Sequence, residues 1–250
     1  MKEPKTDKIA LVTGGTRGIG RAISLRLASD GVAKVIVNYV QDDKSAQITA
    51  KQLQELGVES MLIKANLVNP QEIQDMFDKI RVECGQLDIF VHSAAMGSFK
   101  PLTKIKPNQW DISMNINARS FLCCVQRCIP LMSTGVIVAV SSLGARKAVP
   151  NYGAIGPSKA ALEAIVRQLA MELVPQKIRI NAVSGGFVRT DSLTLFPDYE
   201  EIVNTSVRKT PAGRLGQPED IANAVSLLVD TDASWIYGQT IIADGGLSLL

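Results

Sequence analysis

Short apolar runs rich in β-branched residues alternate along this chain with longer segments of helical periodicity. The short runs lack a regular alternation of apolar and polar positions, which is typical of strands buried on both faces. Strands that alternate with helices predict a doubly wound α/β fold, in which helices cover both faces of a parallel sheet. The predicted strands are 9–13, 35–39, 61–64, 89–92, 136–141, 178–183 and 240–243, and the predicted helices are 21–29, 45–56, 70–83, 109–131, 160–173 and 219–229.

The chain of 250 residues is predicted to form a single domain over 1–250, because its length suffices for one large core and no linker interrupts the pattern. The longest interruption is 187–216, where Leu193, Leu195 and Phe196 lie among charged residues and prolines. Ligands bind at the carboxyl edge of such sheets, and long insertions are often functional. We therefore expect 187–216 to form a lid over that edge.

The charge pattern argues against a nucleic-acid partner. The 27 basic and 24 acidic residues are interspersed and give a formal net charge of only +3, without a basic block suited to a phosphate backbone. No apolar run approaches membrane-spanning length, and residues 1–8 are polar, unlike the apolar core of a secretory signal. These features predict a cytoplasmic protein without a membrane partner.

The four cysteines do not form a metal-binding pattern. Cys123, Cys124 and Cys128 are crowded into one predicted helix, Cys84 lies elsewhere, and His92 is the only histidine in the sequence. Structural metal sites need paired ligands at characteristic spacings, which are missing here. We expect free thiols in the core and no bound metal.

A glycine-rich turn follows the first predicted strand and leads into the first predicted helix. Glycines let the backbone approach a pyrophosphate, which binds at the positive end of the helix that follows. At the end of the second strand, Asn38, Tyr39 and Val40 stand where an acidic residue would bind the ribose of NAD, and Arg17 could pair with a 2′-phosphate instead. The pattern predicts NADPH, bound by Gly14, Thr16, Arg17, Gly18, Ile19 and Gly20.

The spacing TGxxxGxG in this turn resembles that of the short-chain dehydrogenase/reductase family, and the resemblance extends from Ile9 to the Asp-Gly-Gly ending at Gly246. In this family Asn66 would face the adenine, 92–95 would replace the NNAG motif, Asn117 would hold a proton-relay water, and 181–190 would lie beside the nicotinamide. The resemblance implies further cofactor contacts from Tyr39, Asn66, Leu67, Ser93, Ala94, Ala95, Lys159, Gly185, Phe187, Val188 and Thr190.

The catalytic residues implied by the resemblance are Ser142, Tyr152 and Lys159, but the tyrosine precedes the lysine by seven positions. The usual tyrosine, one helical turn before the lysine, is replaced by Ile155, which cannot donate a proton. Either Tyr152 acts from a shifted position or no proton is delivered here. On a helix the shift of three residues would move the phenol by about 4.5 Å along the same face, although we expect the helix proper to start only near Pro157.

The shifted tyrosine resembles that of the FabL-type enoyl-acyl-carrier-protein reductases of this family, as does Gly185-Gly186 in place of the usual Pro-Gly. The resemblance implies NADPH-dependent reduction of the 2,3 double bond of an enoyl thioester, on acyl carrier protein or coenzyme A, by a homotetramer. Ser142 would be an auxiliary donor, and the acyl chain would lie under the lid. We expect His92 to be a packing or polar-network residue rather than an acid, and Glu163 to be a solvated helix residue rather than a catalyst.

Two alternatives remain open at this point. A carbonyl reductase acting on 3-oxoacyl thioesters would need a local rearrangement that brings Tyr152 to the standard position. A non-catalytic NADPH-binding sensor or structural subunit would also explain an isoleucine in place of the usual tyrosine.

Overall fold

The computed structural model describes residues 6–197 and 199–250. Within this part of the chain, one sheet of parallel strands runs in the order β3-β2-β1-β4-β5-β6-β7, and this arrangement confirms the doubly wound α/β fold. The polar amino-terminal residues 1–5 lie outside the described part. The strands are β1 Ile9–Thr13, β2 Lys34–Tyr39, β3 Glu59–Lys64, β4 Ile89–His92, β5 Gly135–Ser142, β6 Ile178–Gly185 and β7 Thr240–Ala243.

Helices cover both faces of the sheet, as expected for strands whose two faces are both apolar. Helices α1, α2 and α8 contribute to the core on one face, and α3, α5 and α6 to the core on the other. The helices are α1 Gly18–Asp30, α2 Asp43–Glu55, α3 Pro70–Cys84, α4 Pro107–Met114, α5 Ser120–Cys128, α6 Ile155–Leu173, α7 Tyr199–Lys209 and α8 Pro218–Val229.

The two cores are formed by alternate residues of the same strands. On β1, Leu11 packs into the core below α3 and α5, whereas Ala10 and Val12 pack into the core below α1 and α8. Phe121 on α5 is fully buried beside Phe90 of β4. Truncating an aromatic side chain at such a position costs about 3–5 kcal/mol of the free energy of unfolding, so these residues hold the sheet in place beneath the site.

Two predicted helical regions differ from the structure. The predicted helix 109–131 is divided, because a π-helical turn at Asn115–Arg119 separates α4 from α5. Helix α6 starts at Ile155, slightly before the Pro157 start expected from the sequence, and Tyr152 lies just outside it. Helix α7 was not predicted, because charged residues obscure its short apolar face.

The connection from β3 to β4 crosses back over the sheet, so that β1 lies between β2 and β4. The connections after β1 and β4 therefore leave toward opposite faces and open a crevice at the carboxyl edge, where ligands bind in doubly wound folds. Among the helices of the described residues, none combines the length and the apolar character needed to cross a bilayer.

Candidate active site

A cavity of about 780 Å³ occupies this crevice. Its lining includes each residue for which the sequence predicted a cofactor contact and all three residues of the predicted catalytic set. These residues come from the ends of β1 to β6 and the segments that follow them, from the lead-in to α6 and from α6 itself, so they meet only when the sheet forms. The cavity has a glycine-lined end near α1 and an aromatic end near Phe99 and Phe196.

The glycine-rich turn after β1 needs its glycines for two different reasons. Gly14 and Gly18 have φ values of +62° and +51°, a region that side chains other than glycine rarely adopt. Gly20 has no room for a side chain, because a Cβ atom there would collide with the carbonyl oxygen of Gly14. The turn thus folds tightly against the start of α1 and leaves its backbone open to the cavity.

The start of α1 fits the pyrophosphate of a dinucleotide. Among the described residues, no side chain caps this helix at Arg17, and its first turn contains no acidic residue. The backbone N–H groups and the positive end of the helix dipole are therefore available for an anion. These features suit the pyrophosphate of a nicotinamide dinucleotide.

The end of the cavity near Tyr39 contains a carboxylate, although Asn38, Tyr39 and Val40 at the end of β2 include none. Asp42 lines the cavity and caps α2. The hydrogen bonds from Ser45 lower the pKa of Asp42, and the positive charge of Arg17 lowers it further. Tyr39 donates its hydroxyl to Asp43 at 2.9 Å, and the buried Asn38 amide donates to the Ala65 carbonyl at 3.0 Å. Arg17 thus has an acidic neighbour, and its pairing with a 2′-phosphate stays a prediction.

Lys159 lies in the floor of the cavity and is only 3% exposed. Its Nζ atom donates a hydrogen bond of 2.6 Å to the Val140 carbonyl at the end of β5. Burial lowers the pKa of Lys159 to about 8, and the negative charge of Glu163 opposes this change. At neutral to mildly basic pH, Lys159 is therefore able both to hold and to release its proton.

Tyr152 reaches the cavity from the segment before α6. Its ring stacks on Phe196 with centroids 6.0 Å apart, and it also lies 6.0 Å from the Phe99 ring. Gly144 packs against the other side, where a Cβ atom would collide with the tyrosine ring. Burial raises the pKa of the phenol, and the neighbouring Ser142 hydroxyl opposes this rise. The tyrosine is thus protonated at neutral pH and is able to donate.

Ile155, at the position of the usual tyrosine, packs in a different direction. Its side chain contacts Gly97 so closely that a Cβ atom at that glycine would overlap it, and Ser113 lies beside it. Within the described part of the chain, the cavity lining includes Tyr152 and excludes Ile155. The side chain at 155 therefore fills the space between α4 and α6.

Glu163 is buried, and the expectation of a solvated helix residue was wrong. It is 3% exposed, accepts a hydrogen bond of 2.7 Å from Ser141 and forms an ion pair of 3.0 Å with Arg146. Sequence alone did not reveal this because the facing residues come from β5 and the turn after it. The adjacent Ser142 accepts a hydrogen bond of 3.3 Å from the Gly144 backbone N–H and faces Tyr152.

Two other buried polar residues hold the cavity floor together. His92 contacts the Thr13 hydroxyl through Nδ1 at 3.1 Å, and its burial lowers its pKa to about 3, so it is neutral. The Asn117 amide donates to the Met96 carbonyl at 3.0 Å and to the Ser158 hydroxyl at 2.8 Å. Asn117 therefore ties the segment after β4 to α6, and its role in holding a relay water stays a prediction.

The segment 187–216 contributes Leu193 and Phe196 to the aromatic end of the cavity. Leu195, which we also expected above the acyl chain, is 68% exposed, and the cavity lining within the described residues excludes it. Phe99 was missed by the sequence analysis, although its ring centroid lies 4.1 Å from that of Phe196. No local pattern identifies it, because its partners are far away in the chain.

Comparison with protein families gives a match over almost the whole chain. Residues 14–248 match a family model described as Enoyl-(Acyl carrier protein) reductase. The chain is 37% identical over 246 residues to 1-cyclohexenylcarbonyl-CoA reductase from Streptomyces collinus, a match that covers 97% of this chain and 88% of the relative.

Other similar proteins are named for the reduction of a carbonyl group. The chain is 33% identical to the 3-oxoacyl-[acyl-carrier-protein] reductase FabG of Staphylococcus aureus, with 97% of this chain and 99% of the relative covered. The crystal structure of the angucycline C-6 ketoreductase LanV with bound NADP has a TM-score of 0.91 and 32% identity, and the match covers 99% of this chain and 98% of that one.

Proposed function

The chain belongs to the short-chain dehydrogenase/reductase family, and on that premise we propose that it reduces the 2,3 double bond of an enoyl thioester with NADPH. The coarser conclusion, an oxidoreductase of this family, follows from the family match and the fold. The choice of a carbon–carbon double bond over a carbonyl group is our inference from the geometry of the cavity.

The position of the Tyr152 phenol is the observation that carries the proposal. Tyr152 borders the cavity from the lead-in to α6, while Ile155 packs away from it. A carbonyl reductase needs its donor at the oxygen of the very carbon that receives hydride, whereas conjugate reduction separates these two atoms. A donor displaced along the cavity fits a thioester oxygen that lies two carbons beyond the β-carbon.

The residues of this chain have distinct proposed tasks. NADPH supplies a hydride when bound. Once hydride reaches the β-carbon, Tyr152 stabilises the negative charge on the thioester oxygen or supplies a proton, with Ser142 as a second donor. One proton taken up at the α-carbon completes the saturated product. Lys159, anchored on the Val140 carbonyl, favours the ionised phenol through its charge and binds the cofactor ribose. The aromatic rings of Phe99 and Phe196 exclude water around the acyl chain.

The relatives support a thioester substrate but differ on the reaction. One is named for the reduction of a cyclic enoyl-CoA, and the other for the reduction of a 3-oxoacyl chain on acyl carrier protein. The second name supports carbonyl reduction as the alternative. The preference for NADPH rests on Arg17, and the homotetramer and the cytoplasmic location stay predictions.

The test uses purified protein and a matched pair of coenzyme A thioesters, a trans-2-enoyl and a 3-oxoacyl compound of equal chain length. Cofactor oxidation is followed by absorbance, and the product of each reaction is identified by mass spectrometry. We expect oxidation with the enoyl thioester and a saturated product. Turnover of the 3-oxoacyl compound alone would replace our proposal with carbonyl reduction. Repeating both assays with acyl carrier protein thioesters covers the second carrier. Tight NADPH binding without turnover on either carrier would instead support a sensor or structural subunit.

A further inference from the structure

Two inward-facing charged residues lie one turn apart on α6. Lys159 and Glu163 are each only 3% exposed, and burying a charge is costly unless specific partners compensate it. The Glu163 carboxylate has such partners, because one oxygen accepts from Ser141 and the other from Arg146. The proposed reaction, which uses Tyr152 and Lys159, assigns no role to this buried carboxylate.

Helix α6 holds the end of β5 at two successive residues. Lys159 binds the Val140 carbonyl at 2.6 Å, and Glu163 binds the Ser141 hydroxyl at 2.7 Å. Through Arg146, the same carboxylate also holds the far end of the turn 141–146.

The middle of this turn supports the catalytic tyrosine. Gly144 packs directly against the Tyr152 ring and leaves no space for even a methyl group between them. A turn that is fastened at Ser141 and Arg146 therefore fixes the position of the surface behind the ring. Loss of the carboxylate would allow the turn to shift and the phenol to move with it.

Glu163 also shapes the electrostatic surroundings of Lys159. The titratable groups that act on Lys159 are Glu163 on the same helix and His92 from β4, while Tyr152, from the segment before α6, borders the same cavity. His92 is neutral, and the raised pKa of Tyr152 keeps the phenol neutral, so neither supplies a negative charge. The Glu163 carboxylate, which also faces the Arg146 guanidinium, opposes the loss of the lysine proton that burial favours.

We propose that Glu163 is a positioning residue, whose carboxylate fixes the turn 141–146 behind the Tyr152 ring and holds a negative charge toward Lys159. Within the described residues, the cavity lining excludes Glu163, so it acts through its neighbours. The inference rests on the proposed roles of Tyr152 and Lys159 in the reductase reaction. It adds to the residues that border the cavity one residue that lies behind them and acts through them.

Two substitutions separate the two effects. Glu163→Gln keeps an oxygen that accepts from Ser141 but removes the charge, whereas Glu163→Ala removes both. Glu172→Gln is the matched control, because Glu172 lies on the same helix and its carboxylate binds Gln168 at the exposed surface. Thermal unfolding of all three variants identifies any loss of folding, and Glu163→Gln alone is sufficient if Glu163→Ala does not fold.

The first measurement needs neither cofactor nor substrate. The pKa of Lys159 is followed by NMR in protein labelled with ¹³C at lysine Cε, with the signal assigned through Lys159→Met. We expect Glu163→Gln to lower this pKa by about one unit, as the loss of a nearby opposite charge does. Glu172→Gln should leave it unchanged.

The second measurement uses NADPH and whichever thioester the wild-type protein reduces. For Glu163→Gln we expect kcat to fall about fivefold near pH 8, with no change near pH 6 and an unchanged KM, because a pKa shift of one unit reduces the protonated fraction by that amount. Glu163→Ala should lower kcat at every pH.

Identical lysine titrations and identical pH profiles for wild type and Glu163→Gln would overturn the inference and leave Glu163 a structural residue. If the wild-type protein reduces no thioester, the proposed function fails, but the NMR titration still tests the link between Glu163 and Lys159.

Discussion

The two ends of the cavity are built in different ways. The glycine-lined end is formed mainly by backbone, with Gly14, Gly18 and Gly20 bringing the chain close to the start of α1. The aromatic end is formed by side chains, with Phe99, Tyr152 and Phe196 packed against one another from three separate segments. Backbone geometry recognises what all dinucleotides share, whereas side chains distinguish one substrate from another.

This difference separates the features common to a family from those that select a reaction. The glycine turn suits a nicotinamide cofactor whichever substrate is reduced. The donor position at the aromatic end determines which atom of the substrate receives a proton or a hydrogen bond. If this division is correct, substitutions at the glycine-lined end should change cofactor affinity, and substitutions at the aromatic end should change turnover. Three substitutions test it.

The largest effect is expected from Tyr152→Phe. The ring and its stacking on Phe196 are preserved, but the donor is lost, so kcat should fall by about 10² to 10⁴. The dissociation constant of NADPH, measured by fluorescence, should not change. Tyr237→Phe is the matched control, since Tyr237 lies near Arg179 and away from the cavity. Full turnover by Tyr152→Phe would show that the phenol does not take part in the reaction.

A smaller effect, confined to the other end, is expected from Gly20→Ala. The new methyl group would collide with the Gly14 carbonyl oxygen and force the turn outward. Strain of about 1–3 kcal/mol would weaken NADPH binding by about 5- to 150-fold. Gly85→Ala is the control for replacing a glycine outside the cavity lining, because Gly85 has open space around it; its φ is positive, whereas that of Gly20 is not. Unchanged NADPH affinity in Gly20→Ala would contradict the assigned role of the turn.

The smallest effect is expected from Arg17→Ala, which tests the choice between the two nicotinamide cofactors. Loss of a charge-assisted donor should raise the KM for NADPH about tenfold and leave the KM for NADH nearly unchanged. Lys44→Ala, an exposed position on α2, should change neither value. Equal weakening of both cofactors would indicate that Arg17 acts on the shared pyrophosphate or through Asp42.

Local patterns were sufficient for much of the fold and for the glycine-lined end. The strands could be predicted from short apolar runs, because a strand buried on both faces must be apolar throughout. The glycine turn could be predicted because its spacing reflects a backbone requirement within seven consecutive residues. The π-helical turn at Asn115–Arg119 and helix α7 escaped prediction, since the first is a local distortion of a helical pattern and the second is a short helix with charged residues in its first and last turns.

The aromatic end could be predicted only in part. Tyr152 and Phe196 were identified, but Phe99 was missed and Leu195 was assigned wrongly to the cavity. Glu163 was expected in solvent because a charged helix residue is usually exposed. Its actual burial depends on Ser141 and Arg146, which belong to β5 and the turn after it.

The sequence by itself determined the parallel sheet, the glycine turn and the unusual interval between Tyr152 and Lys159, because each depends on residue types at short, fixed spacings. The tertiary structure alone decided that Tyr152 borders the cavity while Ile155 packs against Gly97, and that Glu163 lies buried behind the site. The direction in which a side chain points depends on what the neighbouring elements leave open, and those elements meet only when the distant segments of the chain have packed together.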